Sequence, residues 1–188
     1  CSAPAETCNG LDDDCDTACD EGFPCCAGAP AGCTVGACSG TATCTAACAL
    51  GACALGAAPA NDACTGAVEV GGGGSCGGTT CAAAGDYAGA CGGAGAADVV
   101  YRLTLAVRSR VVLDTTGSGF DTVLVLRSGA ACPGTAETAC DDNGAGGGAS
   151  RIVASLGPGT YWVIVDGAGP AATGPFTLGV TVTTSPAV

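Results

Sequence analysis

The sequence contains no histidine, no lysine and no methionine, and its 188 residues carry one tryptophan and five basic side chains, all arginine. Each absence closes a class of function. Without histidine, neither a Ser-His-Asp triad nor a Cys-His dyad can be assembled on any fold. Without lysine, the glycine-rich segments Gly71–Gly74 and Gly144–Gly148 are not Walker-type phosphate loops and read as turns. A formal charge of −12, from 17 acids, excludes a nucleic-acid partner, which needs a basic surface. Long apolar runs are missing as well. The longest, Val123–Leu126 and Tyr161–Val165, are too short to cross a bilayer, so no transmembrane segment is expected. No secretory signal peptide is visible, and the sequence reads as a mature or excised segment.

What is abundant is cysteine, at 17 residues. Zinc sites often recruit histidine, and none exists here, so the cysteines are read as disulfides. Disulfides persist only in oxidising surroundings, which points to an extracellular or cell-surface location.

The two halves of the chain must hold themselves together differently. Residues 1–60 contain 11 Cys but only Leu11, Phe23, Val35, Leu50 and Leu55 as large apolar side chains. Five such residues cannot offset the entropy of ordering sixty, so cross-links and bound metal are expected to substitute for a core. This half has no basic residue, and its seven acids lie between Glu6 and Glu21. From about Asn61 the texture changes to short apolar alternations separated by glycine-rich turns. Val99, Tyr101, Leu103 and Leu105 alternate with Val100, Arg102 and Thr104; Phe176, Leu178, Val180 and Val182 alternate with Thr177, Gly179, Thr181 and Thr183. Further strands are expected at 110–114, 121–127, 150–156 and 160–166, with a weaker one near 67–70, and the set predicts an antiparallel sandwich.

The segment from Cys8 to Gly22 is the most informative. Asp12, Asp14 and Asp16 are spaced by two, and Asp20 occupies the ninth position of that frame. Calcium takes six to eight oxygens, and loops of this spacing wrap one ion; the expected ligands are Asn9, Asp12, Asp14, Asp16, Asp20 and Glu21. The alternative is a solvated acidic run, against which the flanking cysteines argue. The stretch Cys8-Asn9-Gly10-Leu11-Asp12-Asp13-Asp14-Cys15-Asp16 with Asp20-Glu21-Gly22 resembles an Asp/Cys-rich metal-binding motif repeated in secreted bacterial proteins, with Thr17 where a glycine is usual and Cys19 where an apolar residue is usual. The resemblance implies a bound metal and a cysteine-rich linker following the motif; the spacing makes calcium the expected cofactor.

In the second half, Asp98-Val99-Val100-Tyr101-Arg102-Leu103, Gly119-Phe120-Asp121-Thr122-Val123-Leu124, Cys140-Asp141-Asp142-Asn143 and Gly159-Thr160-Tyr161-Trp162-Val163-Ile164-Val165-Asp166-Gly167 follow one another in order. Together they resemble the bacterial pre-peptidase C-terminal domain. That resemblance implies a jelly-roll-like sandwich, itself non-catalytic, of the kind that trails secreted hydrolases and serves secretion, surface attachment or substrate binding. Asp121, Asp141, Asp142 and Asn143 read either as a second cation site or as turn residues bonding their own backbone. Trp162 is expected to pack rather than to present a sugar platform. Asp114-Thr115-Thr116-Gly117-Ser118 reads as a strand end and turn, since aspartic-protease chemistry needs a second such carboxylate loop. A carboxylate-pair glycosidase needs a cleft, which a sandwich this small is not expected to offer.

The expected chain is therefore mostly β. A metal-binding motif (1–24) and a disulfide-stapled spacer (25–60) form a small N-terminal region, followed by an antiparallel jelly-roll-like β-sandwich (61–188). Short loops close cheaply, so Cys132–Cys140 and Cys81–Cys91 are expected to pair. Seventeen is odd, and Cys1 is the expected unpaired residue, because a faint repeat (Ala3–Cys8 against Ala58–Cys64) places it in phase with Cys53. It would have lost a partner in an upstream repeat, carry a lipid or link to a neighbouring molecule. The leading functional expectation is a secreted, calcium-binding structural or adhesive protein that self-associates or attaches to a cell surface or polysaccharide, an extracellular filament subunit being one form of it. The second is the C-terminal targeting or substrate-binding region of a larger secreted hydrolase.

Overall fold

In a computed structural model, residues 6–13, 18–35 and 37–184 are described. The chain divides into two compact units, Cys1–Gly56 and Ala57–Val188. The boundary falls four residues before the expected one. The acidic motif and the cysteine-rich segment, expected as separate parts, belong to one unit.

The first unit is built on β1 (Pro30–Val35), β2 (Cys38–Thr43) and β3 (Ala54–Leu55), in the sheet order β1-β2-β3. Its interior is not made of its large apolar residues. Leu11 is 63% exposed, and Phe23, Val35 and Leu50 are also exposed, whereas Cys38, Ala42, Cys44 and Cys48 are buried. Disulfides Cys8–Cys48, Cys19–Cys26, Cys25–Cys44 and Cys33–Cys53 run through this interior. Cross-links thus take the place of a hydrophobic core, as the composition requires.

The second unit holds β4 (Val68–Glu69), β5 (Gly74–Thr79), β6 (Val99–Leu105), β7 (Ser109–Asp114), β8 (Thr122–Ser128), β9 (Ala136–Asp142), β10 (Arg151–Leu156), β11 (Gly159–Gly167) and β12 (Pro175–Thr184). They form a four-stranded sheet, β10-β7-β12-β5, and a five-stranded sheet, β4-β6-β11-β8-β9. Apart from β8 and β9, consecutive strands lie in opposite sheets. All pairs are antiparallel except the short β4–β6 pair. This is the expected antiparallel sandwich. Glu69 fastens β4: its carboxylate accepts from the backbone N–H of Thr104, the Thr104 hydroxyl and Arg102 Nε.

The core between the sheets takes one side chain in two from each strand. Val99, Tyr101, Leu103, Tyr161, Val163, Val165, Leu124 and Leu126 come from the five-stranded sheet, and Val111, Leu113, Ile152, Phe176, Leu178 and Val180 from the four-stranded one. Tyr101 and Phe176 meet edge to face across it. Strands β5 and β9 were not expected. Gly-Ser-Cys-Gly-Gly-Thr and Ala-Glu-Thr-Ala-Cys-Asp-Asp carry little apolar alternation, because both are edge strands with little surface to bury.

Both expected disulfides in this unit are wrong. Cys132 bonds to Cys64 and Cys140 to Cys91, while Cys81 is disulfide-bonded but not to Cys91. Proximity along the chain was the wrong guide, because the sandwich brings loops distant in sequence over one sheet face. Cys76 on β5 is the free cysteine among the described residues, outside the first sixty where the odd cysteine was sought. Cys1 lies outside the described residues.

Candidate functional site

The acidic segment is organised first by hydrogen bonds to the backbone. Asp20, only 1% exposed, accepts from the N–H of Asn9 (2.8 Å) on Oδ1, and from those of Gly10 (2.9 Å) and Ala27 (2.7 Å) on Oδ2. Burial pushes this carboxyl up, but the three N–H groups outweigh it and hold it below the usual carboxylate range. Glu6 bridges the N–H groups of Asp13 (2.9 Å) and Asp20 (3.0 Å). The Asn9 amide accepts from Leu11 N–H at 2.7 Å and donates to Asp13 Oδ2 at 2.8 Å, and the Thr7 hydroxyl also donates to Asp13. Of the six expected calcium ligands, Asn9 and Asp20 therefore serve the loop itself. Asp12 is exposed and Glu21 half-buried nearby. Asp14 and Asp16 lie outside the described residues. Among the described residues no three acidic or cysteine side chains gather closely enough to hold a metal ion.

The same limit bears on the expected second cation site. Asp141 turns its Oδ2 to the N–H groups of Gly144 (2.8 Å) and Arg151 (2.7 Å). Asp142 accepts from the Asn143 amide at 2.8 Å, and Asn143 adopts φ 73°, a left-handed conformation this residue tolerates in turns. Asp121 and Asn143 line an open polar depression of about 450 Å³ with Ser118, Phe120 and Gly148. Among the described residues the three acids do not gather round one point, and Asp141 and Asn143 serve the turn. Asp114-Thr115-Thr116-Gly117-Ser118 is likewise a strand end and turn, with Thr116 N–H bonded to Asp114 at 2.7 Å and Ser118 N–H to the Thr115 carbonyl at 3.1 Å.

The two outward sheet faces differ. That of the five-stranded sheet is closed. Val100, Val123, Val125, Trp162 and Ile164 form a second apolar cluster beneath Ala67, Tyr87, Cys132 and Cys140. The covering loops are fixed by Cys64–Cys132 and Cys91–Cys140, by Arg127 Nη2 donating to the Ala88 carbonyl (2.7 Å), and by Ala90 N–H donating to Glu137 (3.0 Å). Trp162 belongs to this layer, 6% exposed, with its indole N–H donated to the Gly129 carbonyl at 2.9 Å. Packing, not sugar stacking, is its role.

The outward face of the four-stranded sheet is open. On β7 the residues alternating with buried Ser109, Val111 and Leu113 are Arg110, Val112 and Asp114. On β10 they are Arg151, Val153 and Ser155, and on β12 Thr181 and Thr183. Register places Ser155, Arg110 and Thr183 in one row and Val153, Val112 and Thr181 in the next. Arg151 pairs with Asp114, while Val153 stands 52% exposed between the two arginines. The alternation of β7, β10 and β12, against the unbroken apolar runs of β8 and β11, is the sequence signal for which sheet keeps its outer face free.

No family model matches the chain, and no curated protein matches it. Among solved structures, the pre-peptidase C-terminal domain of a collagenase from Bacillus anthracis is similar, at 17% sequence identity and a TM-score of 0.43, covering 61% of this chain and 94% of that one.

Proposed function

We propose that the chain is a non-catalytic module of a larger secreted protein, the targeting or substrate-binding region of an extracellular hydrolase, and that it contacts an extracellular polymer through the open face of its four-stranded sheet. The observation carrying this reading is the asymmetry of the sandwich. One outer face is sealed by disulfide-fixed loops, and the other presents Arg110, Arg151, Val153, Thr181 and Thr183, with half-buried Val112 among them, and no loop of this unit's described residues covers it. An open sheet face mixing aliphatic, hydroxyl and guanidinium groups suits an extended polar chain better than a small molecule, which needs a concave pocket. The absence of histidine removes the commonest hydrolytic machinery, and the density of cysteine fits an oxidising, extracellular setting. In this reading the first unit is a stiff, acid-rich spacer, with calcium as a ligand of its loop.

The test is co-sedimentation of the purified chain with insoluble polysaccharides and fibrous proteins. The double variant Val153→Asp, Arg110→Ala should bind the responding polymer at least about tenfold more weakly, the scale of losing one central contact. Undiminished binding would place the contact elsewhere.

A further inference from the structure

The pairing of β6 with β11 runs from Leu105 opposite Gly159 to Val99 opposite Val165. Continued by one step, this register would set Asp98 against Asp166, on which its charge does act, on the side of the sheet that carries Val100 and Ile164, where facing Cβ atoms stand about 5 Å apart. Both aspartates are fully buried, at 0% exposure. Each uses one oxygen on the backbone. Asp98 Oδ2 accepts from the N–H of Asp86 (2.8 Å) and Tyr87 (2.9 Å), and Asp166 Oδ1 from that of Gly167 (2.7 Å). The other oxygens, Asp98 Oδ1 and Asp166 Oδ2, are buried with no hydrogen-bond partner among the described residues. The loop closes directly over Asp166: a Cβ built on Gly93 would lie 1.9 Å from its Oδ2.

Among the described residues no cationic side chain acts on them. The charges acting on Asp98 are those of Asp86 and Asp62, from the covering loops, and the charge acting on Asp166 is that of Asp98. Burial, with the charges of Asp86, Asp98 and Asp62, also pushes the Tyr87 phenol up. From β8 the residue paired with Asp166 is Val123, which is apolar. Two ionised carboxylates facing each other in such a site repel and are both desolvated. One proton between them turns two orphan acceptors into a donor and an acceptor.

We propose that Asp98 and Asp166 form a proton-sharing carboxyl pair that fastens the loop of residues 84–98 to the five-stranded sheet, and that loss of the shared proton loosens this loop as the medium turns alkaline. Burial pushes Asp98 up to about 6, and burial with the neighbouring charge of Asp98 pushes Asp166 up to about 8. Both folded values lie above the unfolded one, near 4. The stability the pair contributes is therefore complete below about pH 4 and is lost as pH rises through 6 towards 8.

Thermal unfolding of the intact, oxidised chain between pH 4 and 9 tests this, alongside Asp166→Asn, whose amide supplies a permanent donor. The native chain should lose roughly 5 °C or more across the upper half of that range, and the variant should lose much less. Parallel curves for the two would overturn the proposal. So would calcium raising the native melting temperature at pH 8 in a manner the variant abolishes, which would make the pair a cation ligand. Should the variant not fold, carbon-13 carboxyl resonances of the native chain decide. Two aspartates titrating near or above pH 6 are expected, and every aspartate titrating below pH 5 would overturn the pair.

Discussion

Cys91 is bonded to Cys140 across 49 residues of sequence, and this bond ties the loop carrying Gly93 to edge strand β9. Cys64–Cys132 joins the turn at Cys64–Gly66 to the loop between β8 and β9, across 68 residues. In the chain-entropy picture, closing loops of these lengths contributes about 4 kcal/mol each. Peptide mapping without reduction should recover Cys91 with Cys140 and Cys64 with Cys132, with Cys76 as a free thiol. Replacing Cys91 and Cys140 together by alanine should lower stability by about 2–4 kcal/mol in denaturant unfolding. It should also raise proteolysis within residues 84–98 before the rest of the sandwich is cut.

Gly93 adopts φ +89° directly above Asp166, a conformation that L side chains rarely take. Gly93→Ala would drive a methyl group into a buried carboxyl on backbone that also resists it. The expected cost is about 2–4 kcal/mol, read as a shift in the urea midpoint. Gly95→Ala two residues on, also at positive φ (74°) but with open space around its Cβ position, should cost about 1–2 kcal/mol.

Much of the sandwich can be read in its sequence, because the alternation of Val99–Leu105 and of Phe176–Val182 has the period of a strand with one buried face. The unbroken apolar runs Val123–Leu126 and Tyr161–Val165 carry a further message, since strands apolar on both sides are covered on both sides. What covers them is not legible. The stapled loops are rich in glycine and alanine, and their pairing depends on which strands the chain sets side by side. In the first unit the large apolar residues mislead, because cysteine and alanine, not Leu11 or Phe23, fill the interior. The acidic segment announces itself as a cation loop, but sequence spacing does not reveal that Asp20 is already committed to three backbone N–H groups.

That commitment has a pH signature opposite to that of Asp98 and Asp166. The folded carboxyl of Asp20 lies below its ordinary value, so the stability it contributes is present above about pH 4 and is lost as pH falls through the folded value. Hydrogen exchange at the Asn9, Gly10 and Ala27 amides should accelerate, relative to the intrinsic rate, on acidification below about pH 4. In Asp20→Ala it should be fast at every pH.

Calcium at the acidic loop is tested apart from the fold. Titration with calcium should slow protease cleavage within residues 8–21, and chelation should restore it. Asp12→Asn should weaken the calcium response without exposing the Asn9 amide, because Asp20, not Asp12, holds that group. Cleavage indifferent to calcium would leave the loop a purely hydrogen-bonded structure.

The central claim is that the chain binds through the face its stapled loops leave open. Hydrogen-exchange footprinting of the chain bound to the polymer that retains it measures this most directly. The account predicts protection on β7, β10 and β12, centred on Arg110, Val153 and Thr181, with the β6–β9 face and the 84–98 loop unchanged. Protection confined to the loop-covered face around Trp162, or to the acidic loop at residues 8–21, would contradict it.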